Sequence, residues 1–189
     1  MQNSLPIVYC FVSEFNLPDL SRLGRSINII FRNYKNINYL NDLLDLKFYC
    51  KKNNINLYLS NDLKLSIKLG LNGVYIPSFN NKLNYCGFYN LPKNFNIIGS
   101  AHNVKEIKVK SMQGCKEIFI SPLFKVNKSK KFLGIIKFNL LTLGNKNKFI
   151  ALGGINEKNY KKIKLAKVKG FATISWAKKN GLRNILRPF

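Results

Sequence analysis

Eight short apolar runs recur along the chain, separated by polar segments with helical spacing. The runs are IVYCFVS (7–13), INIIFR (27–32), INLYLS (55–60), GVYIP (73–77), NIIGSA (96–101), EIFISP (117–122), FIALGG (149–154) and FATIS (171–175). They are continuous rather than alternating, which is the pattern of parallel strands buried on both faces. The segments between them carry helix ends. Asn103 and Glu106 have capping-box spacing ahead of a segment that closes at Gly114, and Asp62 opens a segment that stops at Gly70. Residues 79–94 hold Asn80, Asn81, Asn84, Asn90 and Pro92, so a shortened or irregular fourth helix is expected there. Eight strand and helix alternations joined by right-handed crossovers predict an α/β fold, a single (β/α)8 barrel spanning residues 1–189.

No apolar run approaches the ~18 residues of a membrane span. The N-terminal stretch lacks a basic leader region and reads as the first strand, so a cytoplasmic location with no membrane partner is expected. Cys10, Cys50, Cys86 and Cys115 are scattered without CxxC spacing, which suits reduced thiols rather than a zinc or redox motif.

The formal charge of +24 raises the question of a polyanionic partner. Residues 101–189 carry 21 of the 32 basic residues against only Glu106, Glu117 and Glu157. That half suits anions. Yet lysine outnumbers arginine 27 to 5 and asparagine also reaches 27, a bias that A/T-rich codons produce by themselves. Without arginine forks or a recognisable binding module, specific nucleic-acid recognition is not expected, and a basic nucleic-acid-binding protein stays a secondary reading. Salt-sensitive adhesion to polyanions is expected in any case.

The candidate chemistry gathers at the ends of the last two strands. Gly153 and Gly154 lack a Cβ and let the backbone approach an anion, and the run ending in Ile174 and Ser175 supplies a second strand end beside them. A phosphoryl group fits between two such ends, the place where barrels of this kind commonly hold phosphate. The alternative is that Gly-Gly is only a strand-to-helix turn, with Asn156 capping the periodic segment that follows.

Five segments in order then resemble one family. NGVYIPS is similar to its DGVHLGQ, IIGSAHNVKEI to its GVSAHS stretch before a helix, and IFISPLFKVNKSK to its GPVFPTxTK loop. FIALGGINEKN and GFATISW complete the series, so the chain resembles the thiamine phosphate synthase and thiazole tautomerase family over about residues 27–176. The resemblance implies a (β/α) barrel acting on phosphorylated thiazole intermediates of thiamine biosynthesis, with an aminopyrimidine diphosphate as the second substrate of the synthase branch. It implies that Gly153, Gly154, Ile174 and Ser175 hold the thiazole phosphate and that Ser129 and Lys130 stand for the family's Thr-Lys, with one residue of slippage. Lys128, Lys130 and Lys131 read equally well as solvent-exposed lysines.

Departures from the family pattern fall on the diphosphate side. Arg32 and Ser100 remain as substrate or diphosphate contacts, but Ile30 and Tyr34 replace a glutamine and a lysine, Ser60 and Asn61 align with an Asn-Asp pair, and Asn80 falls where an aspartate is expected. Mg²⁺ favours carboxylate and water oxygens, so its binding is doubtful here. Asp62 is the remaining metal candidate and equally a helix N-cap. His102, the only histidine, sits at the family's S-x-H position and is the candidate general acid/base, with a structural role beside a helix cap as the alternative. These losses favour a tautomerase-like or diverged synthase member, and a non-catalytic phosphate-ligand-binding barrel is the other reading. A homo-oligomer is left open.

Overall fold

The computed structural model describes residues 6–24, 27–34, 39–83, 91–127, 131–174 and 176. Eight parallel strands close into a barrel in sequential order, with the last strand pairing the first. They are β1 (Ile7–Val12), β2 (Asn28–Phe31), β3 (Asn56–Ser60), β4 (Gly73–Ile76), β5 (Asn96–Ala101), β6 (Glu117–Ile120), β7 (Lys148–Leu152) and β8 (Gly170–Thr173). Each lies within a residue or two of the apolar run that announced it. Among the described residues five α-helices cover the outside: α1 (Leu17–Leu23), α2 (Leu40–Lys52), α3 (Leu63–Lys68), α4 (Val104–Met112) and α5 (Gly134–Thr142).

The continuous apolar runs are explained by two cores on the two faces of one sheet. Val8, Cys10 and Val12 of β1, Leu57 and Leu59 of β3, and Ile118 and Ile120 of β6 point outward to the helices. Tyr9, Phe11, Tyr58 and Phe119 on the same strands point into the barrel. That interior is filled by aromatic rings in edge-to-face contact: Tyr9 to Phe119 at 4.9 Å, Phe11 to Tyr75 at 5.2 Å and Tyr75 to Phe119 at 5.6 Å. Each such pair adds ~0.5–1.5 kcal/mol beyond the area it buries. Gly73 makes room for this filling, because a Cβ there would stand 2.8 Å from the Tyr58 ring and collide with the Asn96 carbonyl.

Helix starts follow the spacing read from the chain. Asp62 accepts from the Leu65 N–H at 2.9 Å and opens α3, and Asn103 accepts from the Glu106 N–H at 2.9 Å and opens α4. Two crossovers depart from the ideal. Between β4 and β5 there is no helix among the described residues. Between β7 and β8 stands only a 3-10 helix (Tyr160–Leu165), and Asn156 closes a local turn with the Lys158 N–H at 2.9 Å instead of capping an α-helix. No helix of the described residues is long and apolar enough to cross a membrane.

Candidate functional site

The C-terminal strand ends form two different kinds of surface. On the β7 side the material is main chain. Gly153 and Gly154 both have positive φ, +92° and +70°, a conformation that strains any residue with a Cβ. They are also pressed against the segment after β6: a Cβ on Gly153 would stand 2.8 Å from Pro122 Cα, and one on Gly154 would stand 2.5 Å from the carbonyl oxygens of Phe124 and Lys125. The Leu123 N–H donates to the Leu152 carbonyl at 2.8 Å and the Phe124 N–H to the Gly153 carbonyl at 3.0 Å. The β6 loop thus consumes carbonyls of the turn and leaves its donors. No backbone carbonyl among the described residues takes the Gly153 or Gly154 N–H, and both residues are partly exposed. Ile174 follows the end of β8 and is 44% exposed. Ser175, Ser129 and Lys130, expected to complete this side, lie outside the described residues.

On the side of β2 to β5 the material is side chains. Arg32 follows β2 and lies with its guanidinium carbon 4.7 Å from the centre of the Phe11 ring, so an aromatic face supports the cation. Tyr34 shares a 2.6 Å hydrogen bond with Ser60 at the end of β3, and its ring meets Phe79 edge-on at 6.1 Å. Ser60 and Ser100 are buried, whereas Tyr34 and Phe79 are exposed. Tyr75 is buried beneath this group, near Arg32 and Ser100. Burial pushes its hydroxyl up to about 12, and the nearby Arg32 charge and Ser100 only moderate that rise. The phenol therefore stays neutral and polar at the base of the mouth.

The residues expected to ligate a metal are otherwise engaged. Asn61, in the left-handed region at φ +65°, accepts from the Asn80 side-chain amide at 2.6 Å. Those two amides converge, but the Asp62 carboxylate turns back to cap α3 and does not join them. Among the described residues no three His, Cys, Asp or Glu side chains stand close enough to hold a metal ion.

His102 lies just past β5, with its side chain about half exposed. Glu106, one helical turn on, accepts from the His102 backbone N–H at 2.8 Å and meets the ring Nδ1 at 3.0 Å. The second Glu106 oxygen takes the Asn103 side-chain amide at 2.7 Å. One carboxylate thus joins the helix cap and the imidazole, so the structural and chemical readings of His102 describe the same contact. Such a partner fixes which ring nitrogen faces a ligand.

Tyr75 escaped the reading of the chain because it lies inside an ordinary strand run. Its signal is positional: Tyr75 and Ser100 both share the inward face of their strands, a relation that becomes visible only once the register pairing Tyr75 with Ile98 is known. Glu106 was legible as a cap, but its grip on His102 was not drawn from the spacing.

Three comparisons bear on this geometry. The family model described as thiamine monophosphate synthase matches residues 24–177. A thiamine-phosphate synthase of Prochlorococcus marinus is 42% identical over 83 residues, 42% of this chain and 24% of that protein. The chain therefore aligns with about a quarter of that relative's length. Among solved structures, the thiamine phosphate pyrophosphorylase of Pyrococcus furiosus superposes with a TM-score of 0.71 at 13% identity, covering 95% of this chain and 92% of the other. KDPG aldolase from Legionella pneumophila superposes at 0.64 and 17% identity, covering 94% and 89%. At such identities these likenesses speak for the barrel alone.

Proposed function

The chain belongs to the thiamine monophosphate synthase family, and from that premise we propose that it acts in thiamine biosynthesis by binding a thiazole phosphate at the C-terminal mouth of the barrel. The observation that carries the reading is the pair of glycine N–H groups at the end of β7, left without carbonyl partners among the described residues. Successive main-chain donors at positive φ suit a doubly charged phosphate ester, as in other backbone nests. Ile174 joins the cradle in this reading, and Ser175, Ser129 and Lys130 are the residues the sequence offers to complete it.

The opposite side receives the aminopyrimidine diphosphate if the chain is a synthase. In that reaction the thiazole nitrogen forms a bond to the pyrimidine methylene while the bond to the diphosphate oxygen breaks and diphosphate leaves. Arg32 and Ser100 are the residues offered to that group. The donor set does not suit Mg²⁺: two amides hydrogen-bonded to each other and one capping carboxylate give it no cage of carboxylate oxygens. No step is therefore assigned to a metal.

Because the diphosphate side is altered, a metal-independent tautomerase is the favoured branch. It moves a proton on a bound thiazole carboxylate phosphate, and His102 is the group to move it. With Nδ1 held by Glu106, Nε2 is the nitrogen left for the substrate. Purified protein titrated with thiazole phosphate should show saturable binding that Gly154→Ala abolishes; no binding in the wild type would reject the reading. Product from thiazole phosphate and pyrimidine diphosphate with Mg²⁺ would establish the synthase branch. In the tautomerase assay His102→Ala should lose roughly 10²–10⁴-fold in rate, and an unchanged rate would remove His102 from the mechanism.

A further inference from the structure

Lys110 and Gln113 sit at the end of α4, outside the barrel, and both are fully buried. A buried ammonium is costly unless its protons find acceptors. Here none of the acceptors is a carboxylate: Lys110 Nζ donates to the Asn80 carbonyl at 2.7 Å and to Gln113 Oε1 at 2.9 Å. The Gln113 amide donates in turn to the Asn80 carbonyl at 2.9 Å and to the Lys82 carbonyl at 2.7 Å. Three of these bonds end on the main chain after β4. That segment has no helix among its described residues, so its carbonyls stand outside any helical ladder and draw their donors from elsewhere. Room for the lysine stem comes from β5, where a Cβ on Gly99 would stand 2.9 Å from Lys110 Cδ and 2.9 Å from Cys115 Sγ.

The same segment reaches the mouth. Asn80, whose carbonyl is held by both side chains, donates its amide to Asn61 after β3, and its neighbour Phe79 meets the Tyr34 ring. We propose that Lys110 and Gln113 are positioning residues that clamp the segment after β4 from the helix side and so hold Phe79 and Asn80 at the β2 to β4 corner of the mouth. The identity of the ligand at that corner rests on the proposed function; the clamp itself does not.

Lys110→Met keeps the stem and removes all three donors, whereas Gln113→Glu keeps the acceptor for Lys110 and removes both donors to the loop. Amide hydrogen exchange is the first readout, since the Asn80 N–H is bonded to the Pro77 carbonyl and the Lys82 N–H to Asn80 Oδ1. Both variants should speed exchange at Asn80 and Lys82 roughly tenfold or more, as expected when buried charge-assisted bonds are lost, with β5 and β7 unchanged. The second readout is binding of aminopyrimidine methyl diphosphate, expected to weaken about tenfold while thiazole phosphate binding holds. Unchanged exchange in the loop, or equal acceleration throughout the barrel, overturns the clamp. If the wild type binds neither compound, the functional reading fails while the exchange result still decides the clamp.

Discussion

The two sides of the barrel mouth are built by opposite means. The β7 side is shaped by backbone: two glycines at positive φ, pressed to within 2.5–2.9 Å of the β6 loop at the positions where Cβ atoms would stand. The β2 to β5 side is shaped by side chains, with Arg32 on Phe11, Tyr34 on Ser60 and Phe79 on Tyr34. A backbone site tolerates drift in neighbouring side chains, because its donors are present whatever residues flank them. A side-chain site changes chemistry with each substitution. Changes in flanking residues should therefore leave the β7 side intact and alter the β2 to β5 side.

The comparison is tested most severely at Gly154. Gly154→Ala places a Cβ against two backbone carbonyls in a left-handed conformation, neither of which can yield cheaply. The expected loss is about 2–4 kcal/mol, or roughly 5–15 °C in Tm for a chain of this size, measured by thermal denaturation. An unchanged Tm would mean the turn is not held as tightly as its geometry requires.

Next in size is a change of chemistry at the β2 to β5 corner. Tyr34→Lys with Ser60→Asn replaces the 2.6 Å hydroxyl pair by a cation and an amide, the groups the sequence resemblance implies there. Affinity for the pyrimidine diphosphate, followed by calorimetry, should rise about tenfold, equivalent to ~1.4 kcal/mol. The same double variant should leave thiazole phosphate binding alone. If both ligands respond together, the two sides are not separable.

Alkaline titration reads two buried groups, one on the helix layer and one at the base of the mouth. Burial pushes Cys50 up to about 12 from 9.0 and Tyr75 up to about 12 from 10.0. Both folded values are raised, so the unfolded chain releases these protons first. Their contribution is complete below pH 9 and is lost as pH climbs from 9 to 12, with a slope approaching ~1.4 kcal/mol per pH unit for each group. Tyr75→Phe should reduce, not remove, the slope that begins near pH 10 in chemical denaturation curves, because burial also raises the Tyr9 and Tyr58 hydroxyls. A stability profile unchanged between pH 9 and 12 contradicts this account.

The smallest effect belongs to Asp62. Asp62→Ala removes the acceptor for the Leu65 N–H and should cost about 1 kcal/mol, while Asp62→Asn keeps a capping oxygen and should cost only a few tenths. A Mg²⁺-dependent activity abolished by the asparagine variant would instead make Asp62 a ligand.

Much of the barrel was legible in the chain. The eight apolar runs foretold the eight strands, because burial on both faces demands continuous apolar residues, and Asn103 with Gly114 and Asp62 with Gly70 marked helix ends through local hydrogen bonding. The 3-10 helix was not legible: the apolar spacing of Tyr160 and Ile163 suits either helix type, and the turn at Asn156 and Asn159 uses up the residues before it. In the candidate site, Gly153, Gly154, Arg32 and His102 stood out by type and place. The Tyr34 to Ser60 bond and the hold of Lys110 and Gln113 on Asn80 and Lys82 did not, since each joins residues more than twenty positions apart through geometry that spacing does not encode.

Local physics, read along the chain, therefore determined the element order, the closed parallel sheet and the glycine turn, because strand burial, capping and Cβ-free backbone each depend on residues close in sequence. Only the folded molecule decided why those glycines are glycines, that Asn61 meets Asn80 and what holds the segment after β4. Those outcomes hang on contacts between β6 and β7, β3 and β4, and α4 and its neighbouring loop, where distance in sequence is large and the deciding separations are a few ångströms.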